Sequence, residues 1–223
     1  MMNKYASMTI KAMDKIVSVS RSNLKLKPTA AHKFIIWNLP AVKTCPYSTP
    51  HCRQFCYAVK AERFYPDCLP ARRRNLQASK ADDFADLMTA YIRRVMSGKA
   101  YRDAESVVVR IHESGDFYSA DYFDKWLQIA NNCADLPNVH FMAYTKSLPF
   151  VHDVPANMTV RSSIWDDTTP EMVAMTEDKA LPIYTAVDKF TTETEDMRCR
   201  CEDCGTCGKC WDIAKHLLMC EIH

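Results

Sequence analysis

A chain of 223 residues, 48% of them hydrophobic, is long enough to bury its own core, and its length fits one domain. The formal charge of +2 is close to neutral, so no whole-protein field gathers nucleic acid or acidic lipid, and partners cannot be read from net charge. No stretch approaches the roughly 18 uncharged apolar residues of a membrane span, and the eleven cysteines are an odd number, with no signal-peptide core at the start, so we expect a soluble protein of a reducing cytoplasm rather than a secreted disulfide framework.

In chain order, FIIW at 34–37 reads as a first strand. Arg72, Arg73 and Arg74 follow Pro70, where a helix can begin, and read as a solvated helix start or as contacts to phosphate or carboxylate. Residues 79–98 carry the clearest helical pattern: Ser79 as cap with Asp82 three positions on, a stripe from Phe84 through Met96, and Gly98 at the end. SVVVRI at 106–111 is the next strand. A second helix is expected from about Ser119 to Cys133, with Phe123, Trp126, Leu127 and Ala130 inward and Cys133 a buried thiol. VHFMA at 139–143, TVRSSI at 159–164 and PIYTAV at 182–187 are further strands, Thr169-Pro170 caps a third helix, and Trp211 to about Cys220 is expected to be a last one.

Several of these strands are apolar throughout rather than alternating, as in a parallel sheet covered on both faces. The expected fold is α/β: a partial, open βα barrel with a mostly parallel sheet over residues 1–197, and a cysteine-rich segment, 198–223, packed on it. Ligands of such folds collect at the carboxyl ends of the strands. The polar residues expected there are His112, Glu113 and Asp116, then Tyr144, Thr145 and Lys146, then Asp166 and Asp167, and last Asp188 and Lys189.

Two cysteine clusters stand out. Cys45, Cys52 and Cys56 form a C-x6-C-x3-C loop directly after the first strand. Three thiolates on one loop supply three corners of a 4Fe-4S cluster and leave the fourth iron open. The alternative is a structural zinc completed by His51 or a distant residue; since His51 adjoins Cys52, we expect it beside the metal or on the loop surface rather than bound to it. Cys204, Cys207 and Cys210 form C-x2-C-x2-C, preceded by Cys199 and Cys201. That unbroken rhythm, with Gly205 and Gly208 in the spacers, suits an iron-sulfur cluster better than zinc, with Cys199 or Cys201 as fourth ligand. Cys68 and Cys220 are weaker candidates.

The chain resembles the phage gene product 88 family. The residues that carry the resemblance are Asn23-Leu24-Lys25-Leu26, Leu39-Pro40-Ala41, Thr44-Cys45-Pro46, Cys56-Tyr57-Ala58, Arg74-Asn75, the run from Arg110 to Ser119, Ala143-Tyr144-Thr145-Lys146-Ser147, and Cys204, Cys207 and Cys210-Trp211. A wider similarity is to radical S-adenosylmethionine enzymes, in which a three-cysteine loop follows the first strand and a Gly-Gly-Glu motif follows the second. Here Phe55 precedes Cys56 and Ser114-Gly115-Asp116 follows the next strand, but C-x6-C-x3-C replaces the usual C-x3-C-x2-C. The similarity implies a radical-SAM-like chemistry, in which one electron from the cluster cleaves S-adenosylmethionine. Ser114, Gly115 and Asp116 would hold that cofactor, with the Asp116 carboxylate accepting from its ammonium. His112, Tyr144 and Lys146 would face the substrate, with Asp116 beside them. Read without the similarity, Ser-Gly-Asp is a strand-to-helix turn in which Asp116 or Ser119 caps the next helix.

Three functions compete at this stage: an S-adenosylmethionine-cleaving enzyme with one or two clusters, a non-catalytic iron-sulfur protein for electron transfer, sensing or assembly in an infected host cytoplasm, and a zinc-stabilised nucleic-acid-binding module.

Overall fold

The computed structural model describes residues 3–23, 26–187, 197–199, 204–211 and 217–221. Seven strands form one sheet in chain order: β1 (Val19–Ser20), β2 (His32–Trp37), β3 (Ser106–Ile111), β4 (Val139–Thr145), β5 (Met158–Ile164), β6 (Ile183–Val187) and β7 (Leu217–Glu221). β1 runs antiparallel to β2, and every later pair is parallel. Among the described residues β1 and β7 do not pair, so the sheet is open.

Parallel strands in sequential order step across the sheet in one direction, and right-handed crossovers then place the connecting helices on one face. The helices are α1 (Ile10–Met13), α2 (Pro50–Gln54), α3 (Tyr57–Phe64), α4 (Cys68–Ser79), α5 (Phe84–Met96), α6 (Lys99–Arg102), α7 (Ala120–Asn131), α8 (Pro170–Asp178) and α9 (Cys204–Cys207). On the helix-covered face Ile35, Trp37, Val107, Val109, Ile111 and Phe141 share a core with the apolar stripes of α5 and α7. Side chains alternate along a strand, so Phe34, Ile36, Val108, Met142 and Leu218 point the other way, against Leu26, Cys210 and Trp211. The described cysteine-rich residues Cys204, Cys210 and Trp211 thus pack on the second face, and Leu217–Glu221 supply the seventh strand.

All five strands expected from the sequence are present, and Cys133 is fully buried, its thiol pushed up to about 11 by burial. Two expectations need correction. Ser79 does not open a helix: it closes α4, with its hydroxyl donating to Leu76 O at 2.9 Å, and the next helix begins at Phe84. The end of the chain is not helical at 217–221, where β7 pairs with β6 from Ile183↔Leu217 to Val187↔Glu221. A parallel edge strand leaves a row of unpaired N–H and C=O groups, and a short apolar run satisfies them while burying Leu218 and Cys220. Asp188, Lys189 and Cys201 lie outside the described residues.

Candidate functional site

The segment after β2 carries the first cysteine cluster and is docked on the turn after β3. The Asn38 carboxamide oxygen accepts from the N–H groups of Glu113 at 2.8 Å and Ser114 at 3.1 Å. Leu39 N donates to Ser114 O at 2.9 Å, Ser114 Oγ donates to Leu39 O at 2.8 Å, and Asp116 N donates to Thr44 O at 3.1 Å. Gly115 sits at φ +84°, and a Cβ there would lie 2.6 Å from both Leu39 Cβ and Thr44 Oγ1. The glycine is therefore required by the close passage of the cysteine segment itself.

Further along, Thr49 caps α2, with Pro50 in the first turn and Cys52 N donating to Thr49 Oγ1 at 3.2 Å. Cys52 thus lies in a helical turn, and Cys56 is the cap residue of α3. A second brace comes from Arg72, the buried member of the triple-arginine run, whose guanidinium donates to Glu62 Oε1 at 2.8 Å and Ala58 O at 3.0 Å. Glu62 Oε1 in turn accepts from Ala41 N at 2.8 Å. Arg73 and Arg74 are exposed, as a solvated helix face requires.

Cys45, Cys52 and Cys56 are free, half-buried thiols, and the charges of Cys52 and Cys56 would each raise the pKa of Cys45. Burial, reinforced by Asp116, pushes the Cys45 thiol up to about 12. Burial also raises Cys52, but the Lys146 ammonium opposes that shift. The three sulfurs do not all lie within 4.8 Å of one another. Lys146 is itself 8% exposed, with Nζ donating to Ser163 O at 2.7 Å and lying 5.2 Å from the Trp165 ring centroid. Burial lowers its pKa to about 8, against the pull of Cys52, Asp116, Asp167 and Asp166.

His51, expected on the loop surface or beside the metal, sits half-buried between β5's two following aspartates. Its Nδ1 is 2.5 Å from Asp166 Oδ1, and its backbone N–H donates to Asp167 Oδ2 at 2.7 Å. One donor atom from each of the three lies within 4.8 Å of the others. Burial disfavours the Asp167 carboxylate, but the Thr49 hydroxyl, the His51 N–H and Lys146 outweigh it and hold its pKa low.

The other expected site residues are spent on the fold. Asp116 is buried, and its carboxylate accepts from Phe117 N at 2.7 Å, Thr145 Oγ1 at 2.6 Å and Lys146 N at 2.9 Å, tying the β3 turn to the end of β4. Three of about four acceptor positions are thereby filled. Ser119 is the cap of α7, as the turn reading required. His112, expected to face the substrate, is buried. At φ +63° it turns toward the helix layer, with Nε2 2.8 Å from Tyr122 Oη and its ring 4.9 Å from that of Phe117. Burial first, then Arg110, lower its pKa to about 3, so it is neutral. Tyr122 also accepts from Trp37 Nε1 at 2.9 Å. Tyr144 lies under the C-terminal segment: its hydroxyl donates to Cys210 Sγ at 2.6 Å, and its ring stacks on Tyr184 at 4.3 Å.

That second cluster is anchored by backbone contacts. Arg161, with no exposed surface, donates from Nε to Cys210 O at 2.8 Å and from Nη2 to Lys209 O at 3.2 Å. Trp211 packs edge-on against His32 and Phe34. Cys199 hydrogen-bonds Cys210, which together with burial raises the Cys210 thiol far above its ordinary range. Cys207 is exposed, and Cys204 is half-buried.

Arg110 was not singled out by its position in SVVVRI, although a lone cation in an otherwise apolar strand is itself a signal, because buried charges need partners. It is 7% exposed and meets no carboxylate among the described residues. Its contacts are Met142 Sδ, 3.7 Å from Nη1, and the Tyr144 ring, whose centroid is 4.1 Å from Cζ. Burying an ion costs several kcal/mol, and a desolvated cation–π contact returns about 2 kcal/mol or more, so the Tyr144 contact offsets only part of that cost.

No described helix is long and apolar enough to cross a membrane. Among curated proteins the chain is similar to the Gene 88 protein of Mycobacterium phage L5, 30% identical over 105 residues, covering 46% of this chain and 43% of that protein. It is also similar to the Gene 88 protein of Mycobacterium phage D29, 28% identical over 107 residues, covering 46% and 42%. The matched stretches span less than half the length of these relatives. Among solved structures, a Bacillus subtilis protein described as a sporulation-specific glycosylase overlaps 76% of this chain and 67% of its own at 13% identity, with a TM-score of 0.34, too loose to define a shared fold. The family model described as Gene product 88 matches residues 17–213, nearly the whole sheet with both cysteine clusters, and the chain belongs to that family.

Proposed function

We propose that this chain is an iron-sulfur protein that holds a 4Fe-4S cluster on Cys45, Cys52 and Cys56, with Cys204, Cys207 and Cys210 and one of Cys199 and Cys201 as the four ligands of a second. The carrying observation is the trio of free, half-buried thiols on one segment at the carboxyl edge of a parallel sheet, in which the charges of Cys52 and Cys56 would raise Cys45 and that of Cys56 would raise Cys52. Desolvated thiols that resist ionisation are ionised by a metal instead. One tetrahedral ion would need sulfurs about 4 Å apart, from Zn–S bonds of about 2.3 Å, whereas cubane sulfurs bind separate irons and stand farther apart.

When bound, such a cluster supplies one-electron chemistry at a coordination position that the protein leaves open. Lys146 supplies a cation beside Cys52, which favours its thiolate. The Ser114-Gly115-Asp116 turn holds the loop at a set height over the sheet. The finer reading is a radical-SAM-like partial βα barrel that cleaves S-adenosylmethionine. It is supported by the order of parts, with the cysteine loop after β2 and the Ser-Gly-Asp turn after β3. A non-catalytic iron-sulfur protein is the second reading, and Asp116 favours it, because its carboxylate already accepts three hydrogen bonds and has little left for an ammonium. In either case the host cytoplasm is the proposed location. The zinc-dependent nucleic-acid module is weakened by the near-neutral charge.

The test is anaerobic isolation followed by iron and sulfide analysis, with electron paramagnetic resonance of the dithionite-reduced protein. The proposal expects about four irons and four sulfides per loop cluster, lost in Cys45→Ser, Cys52→Ser or Cys56→Ser. Absence of both elements in wild-type protein would overturn it. Incubating the reduced protein with S-adenosylmethionine and assaying 5'-deoxyadenosine then separates the two readings.

A further inference from the structure

We infer that Arg110 is the recognition group for an anionic ligand, a carboxylate or phosphate group that enters at the sheet face opposite the helices, between Tyr57 and Tyr144. The inference needs no cluster and stands apart from the iron-sulfur reading.

The guanidinium is an always-charged, five-donor fork, and more than nine-tenths of the residue is buried. Among the described residues its one hydrogen-bonding contact is a thioether, a weak acceptor, at 3.7 Å. The other arginines buried to this degree are served by oxygen acceptors: Arg72 by Glu62 and Ala58, Arg161 by the carbonyls of Cys210 and Lys209. Among the described residues, Arg110 alone of these three meets no oxygen acceptor.

Its plane is held in place by neighbours that would not compete for an anion. Register pairs Arg110 with Ile36 on one side and Met142 on the other, and the Tyr144 ring lies 4.1 Å from Cζ, itself stacked on Tyr184. A guanidinium stacked on an aromatic ring presents its donors edgewise, the geometry that meets carboxylate or phosphate in two parallel hydrogen bonds. The Arg110 charge also reaches Tyr57, a residue 62% exposed whose hydroxyl donates to Glu113 O. Tyr57 belongs to α3, directly after Cys56, so a bound anion would lie beside the cysteine loop. Glu113, the nearest acidic side chain on the turn after β3, is engaged instead with the amides of Asn23 and Asn38.

Isothermal titration of the full chain with inorganic phosphate, acetate and citrate tests this, with the phosphate and carboxylate arms distinguishing the two sources. Wild type and the exposed-site control Arg73→Ala are expected to bind at least one of these anions equally. Arg110→Met should weaken binding by about tenfold or more. Arg110→Lys keeps the charge and loses the fork, so it should retain phosphate better than carboxylate, and it decides the matter if Arg110→Met fails to fold. A wild-type protein that binds none of the three, or an Arg110→Met protein that binds as wild type does, would overturn the inference. Binding of the anion by Cys45→Ser protein without iron is the expected result that separates this site from the cluster.

Discussion

Replacing Gly115 by alanine tests whether the turn after β3 sets the position of the cysteine loop. The φ of +84° places the residue in the left-handed region, where a side chain costs about 1–2 kcal/mol. The new methyl carbon would stand 2.6 Å from Leu39 Cβ and from Thr44 Oγ1. Ordinary carbon contacts are about 3.5–4 Å, so the loop must retreat by about 1 Å. Neither neighbour is the free end of a long side chain: Leu39 is fully buried, and Thr44 is tied to Pro40 O at 2.8 Å. Overpacking of this kind costs about 1–3 kcal/mol, for a total of about 2–5 kcal/mol. In a chain of this length that lowers the melting temperature by about 5–20 °C. Gly98→Ala is the control, because Gly98 has φ −75° and its added carbon would lie 3.3 Å from Val95 O; it should stay within about 1 kcal/mol of wild type. Thermal and urea unfolding followed by circular dichroism measure both variants. A Gly115→Ala protein as stable as Gly98→Ala would refute the claim that the turn and the loop are in forced contact.

His112 makes stability pH-dependent in a defined direction. Its folded pKa of about 3 lies below the ordinary histidine value of about 6.5, so its contribution is complete above pH 6.5 and falls as protons bind the unfolded chain between 6.5 and 3. The loss is about 1.4 kcal/mol per pH unit, or about 2 kcal/mol at pH 5. Wild type should therefore lose about that much more stability than His112→Gln between pH 7.5 and 5 in urea titrations; equal losses would show that His112 is not held neutral. Arg161→Met should free the C-terminal cover, since the charge-assisted hydrogen bonds to Cys210 O and Lys209 O are worth about 1.5 kcal/mol or more each. Limited trypsin cleavage at Lys209 should then accelerate by about tenfold or more, and an unchanged rate would mean that the segment is held by other contacts.

The parallel sheet was legible because strands covered on both faces are apolar over most of their length, as FIIW is and as SVVVRI is apart from Ser106 and Arg110. The caps Ser119 and Thr169 were legible because capping is a contact between neighbours in sequence. The Thr49-Pro50 start of α2 has the same form as Thr169-Pro170 and was equally readable, yet the loop reading of the cysteines obscured it. Other assignments depended on distant partners. His112 and Asp116 were read as site residues because they follow a strand. Only the positions of Tyr122, Trp37 and Thr145 decide that one joins the core and the other binds β4.

What the residue order determined without help was everything governed by local periodicity and composition: the βα alternation, the sheet's parallel sense, the caps, and two sets of thiols close enough in sequence to share a metal. What only tertiary structure decided was which polar groups have partners. Whether a carboxylate is spent, a histidine is held neutral, or an arginine such as Arg110 meets an oxygen acceptor among the described residues depends on atoms brought together from far along the chain, and pattern within a segment does not encode those distances.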